Sequence, residues 1–480
     1  MSEVDAPATH RNLQPGMEVD GYRLEEKLHT GGMAGLWRIT DLQERHGVLG
    51  QTKLIMKVPR LFSSDDPTAI VAFEVEQMIM PKLKGKHVPR FFGAGDFDAQ
   101  PYIVMEQIEG ASLRARLDES PLPWQDVVQI GIKVAQALQE LHRQHVIHFD
   151  IKPSNIMLRP DGTAVLIDFG LSRHDQLPDL LDEEFHLPFG TGPYISPEQV
   201  LSVRNEPRSD LFSLGVLMYH MATGQRPYGQ PSKIAGLKKR IYRDPIPPRV
   251  HRPDIPPWFQ EVILRCLETM PANRFDTPGQ LAFMLQNSEQ LPLTARAEKM
   301  HLDSVLTVFK RRLKMAGMNG IASQSAAGQL NKAPIVMVAL DLNGASDLAA
   351  SVRDITERML QSKLGARLAC LTVRKVNRLG MDDSLIQGGQ NVHVKQLAQL
   401  KNWARPLGLG PERITFHVLE ATDPATAIVA YANDNSVDHI VVGARGSSTL
   451  RRYLGSVSSQ VVAEANCTVT VVKVEPGNGA

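Results

Sequence analysis

The run HFDIKPSNIML places Asp150, Lys152 and Asn155 within six consecutive residues, and Asp168 follows Asn155 by thirteen positions, directly after the strand-like AVLI. Lys57 closes another strand-like run, LIMK. Carboxylates, a carboxamide and lysines in this pattern suit phosphoryl transfer. That reaction needs oxygen ligands for a metal that neutralises the phosphates, a cation on the nucleotide, and a carboxylate that accepts the proton of the attacking hydroxyl. Residue types for all three stand before residue 170.

With DFG at 168–170 and GTGPYISPEQ after it, the motifs fall in the order of a catalytic loop, a metal loop and an activation segment, and residues 21–290 resemble the protein kinase family. The resemblance implies Asp150 as catalytic base, Asn155 and Asp168 as metal ligands, and Lys152 as a phosphate contact of serine/threonine-specific members. His148 would be a structural member of the loop. Lys57 would pair with the α and β phosphates of ATP and needs an acidic partner on a helix. Glu76 fits, because Met80 and Leu83 follow it at helical spacing; Glu74 faces another side and reads as a surface carboxylate. Thr191 would support the substrate pocket, Glu198 would pair with Arg274, and Asp210 would bond the catalytic-loop backbone. Within YIVMEQIEG, Met105 would guard the back of the nucleotide pocket while Glu106 and Ile108 offer backbone groups to adenine. The implied cofactors are ATP and Mg2+ (or Mn2+), and the implied partners are protein substrates with Ser or Thr.

Several positions depart from that pattern. The nucleotide loop reads LHTGGMAGLW, so His29 and Ala34 stand at the first and third glycine positions while Gly31 keeps the second, with Gly32 and Gly35 beside it. Glycine matters there because a Cβ keeps backbone amides away from phosphate. Ile55 stands where the family has a small residue against adenine. Phe149 replaces the arginine that reads an activation-loop phosphate, and the acidic DQLPDLLDEEF already carries negative charge in that segment. Constitutive or protein-regulated activity is therefore expected.

Around these motifs the chain must supply more than one core, since 480 residues call for two or three domains. Hydrophobic residues at 42% and charged residues at 22% exclude a disordered or fibrous chain. The 53 Lys and Arg against 52 Asp and Glu give no global field for nucleic acid or an acidic membrane. Cys266, Cys370 and Cys467 have neither metal-ligand nor disulfide spacing, and no run approaches a membrane span of ~20 apolar residues. The expectation is a soluble cytoplasmic protein. Residues 1–20 read as a polar tail, 21–290 as a small mixed lobe before a larger helical one, and 291–332 as a linker. The linker holds a basic amphipathic helix near Leu302–Met315, read as a solvated face rather than a dock for an acidic partner.

From Pro334 the runs PIVMVAL, ARLACLTV, RITFHVLE, DHIVVGA and CTVTVVKV alternate with helical stretches, which predicts a parallel sheet covered on both faces. The fold class is thus an α+β two-lobed kinase fold followed by an α/β parallel-sheet domain over 333–475. Asp341 at the end of the first strand and the late GARGSSTLRRYLGSVSSQVV make this domain resemble the universal stress protein family. The resemblance implies that Gly443, Gly446, Gly455 and Ser456 cradle phosphates and that Asp341 contacts the adenosine side. The spacer of eight residues between Gly446 and Gly455 is one short of the usual binding pattern. The last strand, CTVTVVKV, offers an edge for a homodimer.

The whole reads as an ATP-dependent serine/threonine protein kinase with a nucleotide-sensing or dimerising stress-protein domain. The alternative is a pseudokinase-like nucleotide-binding scaffold in stress signalling, motivated by His29, Ala34, Ile55 and Phe149. The complete set Lys57, Asp150, Asn155 and Asp168 favours the enzyme.

Overall fold

A computed structural model describes residues 13–30, 34–43, 52–60, 67–97, 99–185, 187–231, 233–316, 333–342, 344, 346–363, 365–376, 391–444 and 455–473. The N-terminal lobe is built on strands β1 (Glu18–Val19), β2 (Tyr22–Thr30), β3 (Ala34–Asp41) and β4 (Leu54–Pro59), helix α1 (Pro67–Ile79), and strands β5 (Phe91–Gly95) and β6 (Tyr102–Glu106). The strands pair antiparallel in the order β1-β2-β3-β4-β6-β5. Alternation along β4 buries Leu54, Met56 and Val58 with Tyr22, Leu24, Trp37 and Ile39 on one face. The same period sends Ile55 and Lys57 to the opposite face, where α1 packs.

The second lobe begins with β7 (Ala111–Ser112), α2 (Leu113–Asp118) and α3 (Trp124–Arg143), then β8 (Val146–Ile147), β9 (Ile156–Leu158), β10 (Ala164–Leu166) and β11 (Arg173–His174). Helices α4 (Leu180–Glu184), α5 (Pro197–Val200) and α6 (Arg208–Thr223) follow, then the short α7 (Ile234–Leu237), α8 (Lys239–Tyr242) and α9 (Pro248–His251), and finally α10 (Pro257–Cys266), α11 (Pro278–Gln286) and α12 (Val305–Ala316). Val127, Val134, Leu138 and Leu141 recur at helical spacing on α3 and are buried against α6 and α11. Gly224 closes α6 with φ of 70°, a left-handed cap that a Cβ would strain. The basic helix α12 is more than a solvated face. Arg311 bonds Asp244 and Asp303 at 2.8 and 2.9 Å.

The C-terminal unit alternates β12 (Ile335–Ala339), α13 (Ser346–Ser362), β13 (Arg367–Lys375), α14 (Val392–Ala404), β14 (Ile414–Ala421), α15 (Pro424–Asp434), β15 (His439–Gly443), α16 (Ser456–Glu464) and β16 (Thr468–Val472). All five strands pair parallel, in the order β14-β13-β12-β15-β16. One apolar cluster packs α13 and α14 on one face and a second packs α15 and α16 on the other, the doubly covered sheet that the continuous apolar runs predict. The first of these clusters is continuous with the core of the two lobes, so the C-terminal unit is packed on them. Among the described residues no helix is long and apolar enough to cross a membrane.

Candidate active site

Lys57 leaves β4 toward the cleft and donates to Glu76 at 2.5 Å and to Asp168 at 2.9 Å. Burial works against the Lys57 ammonium, but the charges of Asp168 and Glu76 outweigh it and push its pKa up. In return the Lys57 charge overcomes burial and holds Asp168 at about 2. Asp168 has φ of 68°, an uncommon backbone for an aspartate, and strain of this kind concentrates at functional sites. The fully buried Phe169, 5.2 Å from His148 between ring centroids, anchors that turn.

Four donor groups from three residues converge on Asp150. Lys152 and the Asn155 carboxamide donate to one carboxylate oxygen at 2.6 and 3.1 Å, and the Thr191 hydroxyl and amide donate to the other at 2.7 and 3.1 Å. Thr191 lies 41 positions on, so the activation segment is folded back onto the loop. Buried Asp210 accepts from the His148 and Phe149 amides, both at 2.9 Å, and His142 Nε2 lies 2.8 Å from it. These bonds fix the loop backbone.

The Ile167 amide donates to the Asn155 carbonyl at 3.0 Å, which sets Asn155 beside the strand that delivers Asp168. Asn155 spends its NH2 on Asp150, while its side-chain oxygen accepts from the Ser154 hydroxyl at 3.2 Å and keeps one further lone pair, and the Asp168 side chain is 43% exposed. Two hard oxygen donors facing a nucleotide cleft fit a divalent cation completed by phosphate oxygens. Among the described residues no cluster of three or more His, Cys, Asp or Glu is arranged to hold a metal without such help.

Met105 is buried and pairs across strands with Ile55, which puts both on the face of the sheet that carries Lys57. The Glu106 amide is committed to the Arg90 carbonyl at 2.9 Å and its carboxylate to Arg159 at 2.7 Å. The Ile108 backbone has no partner among the described residues. Gly31 and Gly32 lie outside the described residues, between the ends of β2 and β3.

Phe149 is buried, and the Arg204 guanidinium lies over its ring at 5.0 Å. Arg204 also donates to Asp179 at 2.8 Å and to the Leu171 carbonyl at 3.1 Å. A fixed aspartate thus meets an arginine on top of the residue that replaced the phosphate reader. Neither Asp179 nor Arg204 stood out in the sequence, because each lies in an ordinary polar run. Glu74 is a correction: it is 6% exposed and pairs with Lys401 of the C-terminal unit at 2.5 Å instead of lying on the surface.

In the C-terminal unit the chain runs outward from β12 through β13 to β14, then returns to β15 on the other side of β12. Ligands of open α/β sheets bind at the carboxyl ends of strands at such a reversal. Asp341 follows β12 there and Gly443 ends β15 next to it. A Cβ on Gly443 would come within 3.0 Å of Leu348. Gly455 caps α16 and Ser456 opens it, whereas Gly446 lies outside the described residues.

A two-lobed fold with a lysine–glutamate pair, a DFG aspartate and a threonine-braced loop is the arrangement of a protein kinase domain. Residues 51–283 match the protein kinase domain family and residues 334–473 the universal stress protein family, so the chain carries one domain of each. It is similar to serine/threonine-protein kinase PknB of Mycolicibacterium smegmatis, with 30% identity over 55% of this chain and 42% of that protein. It is 31% identical to PknL of Mycobacterium bovis over 56% of this chain and 65% of the relative, and 28% identical to a probable serine/threonine-protein kinase of Clostridium acetobutylicum over 55% and 39%. The chain therefore spans about two fifths of the Clostridium and Mycolicibacterium relatives. The kinase family implies ATP, a divalent cation and protein substrates.

Proposed function

We propose that the chain transfers the γ-phosphate of ATP to serine and threonine hydroxyls of proteins. The observation that carries this is the joined constellation of Lys57, Glu76 and Asp168 on one side of the cleft and Asp150, Lys152, Asn155 and Thr191 on the other. Asp150 accepts the proton of the attacking hydroxyl, Lys152 steadies the transferring phosphate, and Lys57, held by Glu76, grips the nucleotide. Asp168 and Asn155 hold Mg2+ or Mn2+, which supplies the charge neutralisation the phosphates need. Met105, Glu106 and Ile108 receive the adenine, and Gly31 and Gly32 the phosphates. The test is labelled-phosphate transfer to a generic basic protein beside an Asp168→Ala chain; equal rates in the two would sink the assignment. The scaffold alternative has no support among the relatives, which are named as kinases.

We place the kinase domain at 21–290, the linker at 291–332 and the stress-protein domain at 333–475, after a tail over 1–20. A cytoplasmic setting is supported by Cys266 and Cys370 as buried free thiols, and no nucleic-acid partner is proposed. Control by an activation-loop phosphate is not expected, since Arg204 already holds Asp179. Phosphatase treatment of the purified chain is therefore expected to leave its transfer rate unchanged; loss of activity would reverse this.

For the stress-protein domain the reversal between β12 and β15 supports nucleotide binding by Asp341, Gly443, Gly446, Gly455 and Ser456. Among the described residues the outer edge of β16 is unpaired, which supports homodimerisation. Equilibrium dialysis is expected to give two ATP per parent chain and one for Asp341→Ala. A single ATP in the parent would remove the second site.

A further inference from the structure

Helix α1 carries two buried carboxylates that point to different domains. Glu76 reaches Lys57 in the cleft, and Glu74 reaches Lys401 on α14. Two positions apart is about 200° around a helix. The helix is pinned from opposite sides, and any rotation that takes Glu74 away from Lys401 also draws Glu76 off Lys57. Lys401 is itself seated against Phe97 of the kinase lobe at 4.5 Å and Phe416 of β14 at 5.7 Å.

Helix α4, between the DFG turn and Thr191, enters the same domain. Glu183 accepts from Arg367 at 2.6 Å and from the Tyr431 hydroxyl at 3.3 Å, and its backbone carbonyl accepts from Asn435 at 3.2 Å. The buried His417 ring reaches Glu183 at 3.1 Å through Nε2 and Glu184 at 3.3 Å through Nδ1. Bonding a carboxylate with each nitrogen requires the imidazolium, which donates from both. Burial opposes that charge, but the bonds to Glu183 and Glu184 outweigh it and raise His417 to about 9. Helices α1 and α4 also pack against each other, so one domain holds both α1 and the activation segment.

We propose that Lys401 and His417 are positioning residues for phosphoryl transfer. Through Glu74, and through Glu183 with Glu184, the stress-protein domain holds α1 and the activation segment where Lys57 meets Glu76 and Thr191 meets Asp150. The domain thereby takes the place of an activating phosphate. This rests on the kinase reading above.

The test uses the full chain as Lys401→Met, Lys401→Arg, and Glu74→Gln with Lys401→Met. The double variant strands no buried charge and so keeps the test open should Lys401→Met fold poorly. Two readouts are taken: kcat and KM for ATP, and amide hydrogen exchange over 67–79 and 180–184 without nucleotide. Lys401→Met and the double variant are expected to lose about tenfold in kcat, within the ~5–150-fold range of coupling between sites. Exchange over 67–79 rises in both, and Lys401→Arg restores kcat and protection. A double variant with the parent's kcat, or with the parent's exchange over 67–79, overturns the proposal. A parent chain that transfers no phosphate defeats the kinase reading instead, and exchange then decides whether the domain holds α1.

Discussion

Asp150→Asn is expected to lower phosphate transfer by about 10²–10⁴-fold, the contribution of a positioned general base. The amide keeps the size of the carboxylate but cannot take the hydroxyl proton. It also turns an NH2 toward either Lys152 and Asn155 or Thr191, all of which donate to Asp150. Lys57, proposed to grip ATP, does not touch Asp150: its partners are Glu76 and Asp168. Nucleotide affinity should therefore survive while the rate collapses. Single-turnover transfer and ATP titration on the same preparation separate the two, and a rate close to the parent's would remove Asp150 from the chemistry.

Glu198→Gln is expected to produce the largest loss of stability. Arg274 has a fully buried side chain whose two terminal nitrogens donate to Glu198 at 2.6 and 2.8 Å. Its remaining bonds go to the carbonyls of Glu268, Arg208 and Thr269, which solvate but do not neutralise it. Removing one partner of a buried ion pair costs about 3–5 kcal/mol. In a domain of this size that lowers the melting midpoint by roughly 6–20 °C, at ~2–4 °C per kcal/mol. Calorimetry on the full chain measures it, and a shift below about 2 °C would mean that the carbonyls alone compensate the guanidinium. Replacing both residues by apolar ones of similar volume should cost less, because no charge is then left stranded.

The grouping of Asp150, Lys152 and Asn155 was legible in the sequence, since the three stand at neighbouring positions of one loop, and the structure brings them together. Lys57 and Glu76 were legible for a related reason: one lies on an alternating strand, and the other sits on a helix whose apolar spacing shows which way it faces. The parallel sheet followed from its five apolar runs. Glu74 was not legible, because nothing near it in sequence announces a partner beyond residue 400. Glu183 and Glu184 looked like charge in a loop, yet they form a helix that is buried by another domain. His417 occupies a polar slot in RITFHVLE that any half-buried strand would tolerate. Contacts between domains leave almost no local signature, since each half must also satisfy its own element. Phe149 gave a partial signal: the lost phosphate reader was visible, but its substitute, Arg204 on Asp179, was not.

Among the described residues the stress-protein sheet has two edge strands, β14 and β16, and α4 of the kinase lobes packs against the first. Two chains joined along β16 would share a ten-stranded sheet with their β14 strands about 43 Å apart, at ~4.8 Å per strand step. The catalytic clefts would then ride on opposite outer flanks of the assembly, each beyond reach of its twin's activation segment. The two active centres of such a pair would work as independent units on a common spine.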